Sequence, residues 1–167
     1  YFNQGDGTFL AEARQRGLFG KGNKGLGVAI ADFNNDGLTD IYIANDTTAN
    51  FLFINQGNGE FLERAVLLGC SVDRYGRFQA SMGLAVSDYD HNGFLDLYST
   101  HFYEESNTLY RNLGPSGFED ATAKVALHQL TLPYLGFGVV MTDFDQNGFD
   151  DLFVTNGHIE NFPNNPQ

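Results

Sequence analysis

Basic residues, cysteine and proline are all scarce in this chain: 9 Lys and Arg against 21 Asp and Glu, one Cys and four Pro in 167 residues. A lone cysteine builds no disulfide framework. Cys70 occupies the place in its repeat that Leu18 and Leu127 occupy in theirs, so it reads as core filler rather than a reactive thiol. The net charge of −12 argues against nucleic acid as a partner, because phosphates call for a basic face. No apolar run approaches the roughly 20 residues of a membrane span, so no membrane insertion is expected. Patterns for catalysis are missing as well. There is no Ser-His-Asp order and no zinc-spaced set of His and Cys. GLFGKGNKGLG (Gly17 to Gly27) lacks the Lys-Ser/Thr ending of a phosphate loop. The chain is not expected to be an enzyme.

What it does contain is one nine-residue loop written three times: DFNNDGLTD from Asp32, DYDHNGFLD from Asp88 and DFDQNGFDD from Asp143. Positions 1, 3, 5 and 9 are Asp or Asn in every copy, and position 6 is Gly. A turn without a metal needs such residues at one or two places, not four. Three carboxylates per loop would repel one another unless a cation sat among them. The side chains of Asp32, Asn34, Asp36 and Asp40, of Asp88, Asp90, Asn92 and Asp96, and of Asp143, Asp145, Asn147 and Asp151 are therefore the candidate metal ligands. Oxygen donors in this number suit calcium better than magnesium, which keeps more of its waters. About three Ca2+ ions are expected. His91, between two ligands, reads as incidental.

An EF-hand would place Glu at position 12, where this chain has Ile43, Ser99 and Val154. The flanks alternate with period two, which is strand behaviour, so each loop reads as the turn of a β-hairpin. A second element recurs between the loops: NFLFINQGNGEF from Asn50 and NTLYRNLGPSGF from Asn107, with YFNQGDGTF opening the chain. Each reads as strand, Gly-rich turn, strand. One period of about 55 residues thus holds four strands, the size of a propeller blade. The expected fold is all-β, a propeller segment of four-stranded antiparallel blades. Residues 1–18 would form the second half of one blade, 27–70 and 83–127 two full blades, and 138–155 the first half of another.

Together the Asp-rich loops, the N-x-L-Y-x-N-x-G-x-G-F pattern and LGFGVVMTDFDQNGFDDLFVTNGH make the chain resemble the FG-GAP/VCBS repeats of integrin-α-type β-propellers. It is most similar to the branch that carries an ASPIC/UnbV segment and includes cartilage acidic proteins. The resemblance implies that each loop joins the first and second strands of a blade, and that the carbonyls of Leu38, Phe94 and Phe149 complete the ligand sets. It also implies a piece of a longer, seven-bladed propeller. At the place before the first strand of each blade the FG pair occurs only as Phe137-Gly138, with Leu26-Gly27 and Met82-Gly83 in the other copies, and no ASPIC/UnbV segment is present.

In such blades the metal loops and Gly-rich turns share one face. The blade connections and second-to-third turns share the other, and these vary most between copies. That variation suggests a recognition surface for a protein or glycan ligand opposite the calcium loops. Its expected residues are Asp46, Arg74, Tyr75, Arg77, His101, Tyr103, Glu104, Tyr134 and His158. The expected setting is extracellular, cell-surface or periplasmic, where free calcium is plentiful. Two other uses stay open: a propeller that supports a carbohydrate-active enzyme, and a purely structural spacer.

Overall fold

The structure, a computed structural model, describes residues 1–157. Among them the strands form four antiparallel sheets. The first pairs β1 (Phe2–Asn3) with β2 (Phe9–Leu10). The second runs in chain order through β3 (Gly25–Ala31), β4 (Asp40–Asn45), β5 (Phe51–Asn55) and β6 (Phe61–Glu63), and a helical turn, α1 (Ala65–Leu68), leads out of it. The third repeats that plan with β7 (Leu84–Ser87), β8 (Asp96–Ser99), β9 (Thr108–Asn112) and β10 (Phe118–Asp120). A short helix, α2 (Leu127–Thr131), then precedes the fourth sheet, β11 (Gly136–Thr142) with β12 (Asp151–Asn156). Strands, not helices, follow all three Asp-rich loops. The chain is an all-β propeller segment.

The first strand of each sheet is the inner one, since β3 lies beside β7 and β7 beside β11. Glycine makes that approach possible. A side chain at Gly27 would collide with the carbonyl of Met82, and one at Gly83 with the carbonyl of Phe137. Successive sheets stack through apolar clusters, small residues of one against larger residues of the next. Buried Ala29 with Ala31 beside it shares a cluster with Leu84 and Val86. Ala85 shares another with Met141 and Val139. Val28 and Ile30 are the counterparts of Leu84 and Val86, but the sheet before them holds only β1 and β2, and they stay 60% and 63% exposed.

Tyrosine anchors the outer part of the first cluster. Tyr42 and Tyr110 are buried with ring centroids 6.5 Å apart. Their hydroxyls donate to the carbonyls of Cys70 (2.6 Å) and Val72 (3.0 Å). Both bonds reach the connection that leaves β6, so they hold its start against the sheets. Cys70 is fully buried here, and burial raises its thiol pKa well above the ordinary range. Tyr42→Phe keeps the ring but leaves the Cys70 carbonyl unpaired, a cost of about 1–2 kcal/mol. Urea unfolding of this variant would register it; an unchanged midpoint would show the bond to be dispensable.

Candidate metal centre

The three loops fold alike because the same side chains organise the same backbone. The position-1 carboxylate accepts the Gly N–H of position 6 at 2.8 Å in every copy: Asp32 from Gly37, Asp88 from Gly93, Asp143 from Gly148. It also accepts the N–H of position 5, at 3.2, 2.9 and 3.1 Å. The position-5 side chain in turn accepts the N–H of position 7: Asp36 from Leu38, Asn92 from Phe94, Asn147 from Phe149. Two residues per loop are left-handed, the Gly and the residue before position 5 (Asn35, His91 and Gln146, φ 58°, 57° and 61°). That second requirement is absent from the ligand pattern.

Position 9 is the anchor. Asp40 and Asp96 are fully buried, and both oxygens of each accept main-chain N–H groups. Asp40 takes Phe33 and Asn55 at 3.0 and 2.9 Å, and Asp96 takes Tyr89 and Asn112 at 3.0 and 2.7 Å. Asp151 accepts from Phe144 at 3.1 Å. The carboxylate therefore ties the loop to the third strand of its own sheet. Burial pushes the pKa of Asp96 up to about 6, against the two N–H donors, and the charges of Asp90 and Asp88 push the same way. Asp40 is raised by burial too. Half-buried Asp143 goes down instead, chiefly through the Gly148 N–H.

Two carboxylate clusters with atoms within 4.8 Å of one another result: Asp88, Asp90 and Asp96, and Asp143, Asp145 and Asp151. Either could hold a metal ion. Loop 1 differs in chemistry, with Asn34 at position 3 and its extra carboxylate at position 5. Asn34 Nδ2 donates to Asp36 at 2.8 Å, and its three carboxylates form no such cluster. Loop 2 gives the sharpest test of fit. Asp90 Oδ2 lies 2.5 Å from Arg111 Nε, while Oδ1 is buried with no hydrogen-bond partner. A buried carboxylate oxygen without a donor is costly, and a cation among the cluster would satisfy it. Arg111 has Ile54 as its counterpart in the preceding repeat, so its role could not be read from the repeat pattern.

The position-7 residues seat the loops on the Gly-rich turns. Phe94 lies over Gly114, where φ is 62° and a side chain would run into the ring, and Leu38 packs near Gly57. Loops and Gly-rich turns therefore share a face. His91 is not incidental: its ring stacks on Phe149 of loop 3, with centroids 5.4 Å apart and planes 5° from parallel.

On the opposite side, the connection from Ser71 to Ser81 exposes Tyr75 (67%), with the guanidiniums of Arg74 and Arg77 5.6 and 5.0 Å from its ring centroid. Arg77 is held by Asp73 at 2.7 Å. Phe78, 60% exposed in the same connection, escaped the sequence reading because nothing separates it from a core Phe there. Asp46 is half-buried and bridges to Ala80. Glu105 accepts the Ala80 N–H and the Glu104 N–H donates to Leu132, so the neighbourhood continues through exposed Glu104 and half-buried Tyr103 to Tyr134. His101 does not belong to this surface. It is fully buried, with Nδ1 2.9 Å from the Ser106 carbonyl and Nε2 3.0 Å from Ser81 Oγ. Burial lowers its pKa to about 4, so the ring is neutral and donates from Nδ1. His158 lies outside the described residues.

The FG-GAP-like repeat profile matches this chain three times, over residues 1–43, 32–99 and 88–154. Cartilage acidic protein 1 of Homo sapiens is 28% identical over 165 residues, covering 94% of this chain. The Xenopus tropicalis protein of that name is 28% identical over 170 residues, covering 93%. The chain spans 24% of the length of each. No helix among the described residues is long and apolar enough to cross a membrane. With matched repeats running from residue 1 to 154, each carrying the loop and hairpin described above, the chain belongs to the FG-GAP-like repeat family.

Proposed function

We propose that this segment is a calcium-stabilised propeller module for recognition or adhesion outside the cytosol, without catalytic activity of its own. The observation that carries the calcium reading is the partnerless, buried Asp90 Oδ1 inside a loop geometry repeated three times. Asp88, Asp90, Asn92 and Asp96 with the Phe94 carbonyl would hold one ion, and the matching residues of loops 1 and 3 one each. A bound dication supplies the charge that lets three carboxylates share one turn. Calorimetric titration with calcium should find about three sites. Zero or one would overturn the reading.

The relatives are named for cartilage, and an extracellular setting is carried over from that name as part of this proposal. Recognition of a protein or glycan is assigned to the face opposite the loops, where Arg74, Tyr75, Arg77 and Phe78 present cations and exposed rings together. Aromatic and Arg side chains of this kind dominate binding energy at interfaces. Changing Arg74, Tyr75 and Phe78 together to Ala spares the Arg77–Asp73 pair. The triple variant should keep its melting temperature and calcium stoichiometry while losing at least about tenfold in affinity, roughly 1.4 kcal/mol, for whichever member of an immobilised glycan and matrix-protein panel the parent binds. Unchanged binding would move the recognition site elsewhere.

A further inference from the structure

We propose that the metal loops are energetically coupled, and that Asn112 is the positioning residue that links loop 1 to loop 2. The inference rests on the calcium reading above and goes beyond it. Asn112 is 1% exposed and sits at the end of β9. Its Nδ2 donates to the Phe33 carbonyl at 2.8 Å and to the Leu95 carbonyl at 3.0 Å. Phe33 stands between the loop 1 ligands Asp32 and Asn34, and Leu95 stands between Phe94 and Asp96 of loop 2. One side chain thus holds the main chain of both loops.

Its own peptide holds loop 2 ligands as well. The Asn112 N–H donates to Asp96 Oδ1 at 2.7 Å, and its carbonyl accepts from Asn92 Nδ2 at 3.0 Å. Asn55, the equivalent residue one repeat earlier, makes the same bond to its position-9 Asp, but its Nδ2 goes to Thr39 within its own sheet. A second, exposed link runs in parallel: Asn35 Nδ2 donates to the Gly93 carbonyl at 2.7 Å. The pattern continues to loop 3, through the His91–Phe149 stack and a hydrogen bond from Ser87 Oγ to Asp150.

Segments that carry ligands in one loop are therefore tied to ligands in the next. Fixing the Asp32–Asn34 stretch on an ion fixes Asn112, which places Asp96 and Asn92 before the second ion arrives. That ion then costs less ordering, and the effect is reciprocal. Repulsion between the two dications opposes this coupling, and because the loops are largely open to solvent, water and salt screen it.

The test is a double-mutant cycle on the whole chain, read with Tb3+ as the calcium stand-in and luminescence excited through tyrosine. Loop 2 carries Tyr89 at position 2, where loops 1 and 3 carry Phe33 and Phe144, so this signal is weighted to loop 2, and the part lost in Asp88→Ala isolates it from any contribution by Tyr42 beside loop 1. Asp32→Ala disables loop 1 and should weaken loop 2 by about fivefold or more. In an Asn35→Gly, Asn112→Ala background the same substitution should change loop 2 by less than about twofold. Should Asn112→Ala fail to fold, Asn35→Gly alone, which keeps the left-handed backbone, should still shrink the Asp32→Ala effect. Loss of stability alone would not produce this non-additivity. Full-strength loop 2 binding in Asp32→Ala overturns the coupling and leaves the calcium reading intact, as does an equal loss in both backgrounds. No ion in any loop overturns both.

Discussion

Chelation of divalent cations should lower the melting temperature by on the order of 20 °C, and calcium should restore it where magnesium does not. The size follows from linkage. A site occupied at a hundred times its Kd contributes about 2.7 kcal/mol, and each kcal/mol moves the transition of a chain this size by roughly 2–4 °C. Three filled loops together give the expected shift. Asp88→Ala should remove one ion and about a third of the effect. In chelator the same substitution should cost much less. It still forfeits the bonds from Asn92 and Gly93, but it relieves the repulsion of Asp90 and Asp96. A melting curve indifferent to chelator would mean that the loops are held by hydrogen bonds alone.

The second large effect is acid sensitivity from His101. Its pKa is lowered to about 4 in the fold by burial, against an ordinary value of about 6.5. The Ser106 carbonyl and the acids Asp120 and Asp73 offset this only in part. The unfolded chain therefore binds the proton more readily than the folded one between those values. Stability is fully present above about pH 6.5, declines as pH falls, and levels off below about pH 4. Between pH 7 and 4.5 the loss should be on the order of 2 kcal/mol. Asp96 acts in the opposite direction when calcium is absent, because its raised pKa favours the protonated folded state over part of the same window. The measurement is therefore urea unfolding in saturating calcium, of the parent and of His101→Gln. The variant should lack this slope; equal acid sensitivity in both would exclude His101 as its source.

His101 also marks the limit of what the sequence reveals. A His just after the second strand looks the same whether it turns outward or inward, and its partners Ser81 and Ser106 come from a blade connection and a turn. The hairpins and loops were legible because their chemistry is local: Gly at a left-handed position, oxygen side chains at fixed spacing, alternation on either side. Arg111 on Asp90, His91 on Phe149 and Asn112 on Phe33 were not. These contacts depend on how strands pair or on how one sheet is rotated onto the next, and neither is written in the repeat.

Every described sheet pairs only strands that are neighbours in the chain. Among the described residues no strand is borrowed from a distant segment, so each four-stranded sheet is complete as soon as its last strand has been synthesised. Local pairing of this kind is quick, and stacking on the previous sheet is the longer-range step that follows it. A growing chain can therefore add blades in the order of translation. Until the next one arrives, each nascent blade shows an apolar flank of the kind that Val140 and Phe153 present on the sheet of β11 and β12, at 51% and 60% exposure. Such a flank is a hazard for aggregation during synthesis. Chaperone demand on this fold should accordingly be set by the interval between blades rather than by the length of the whole protein.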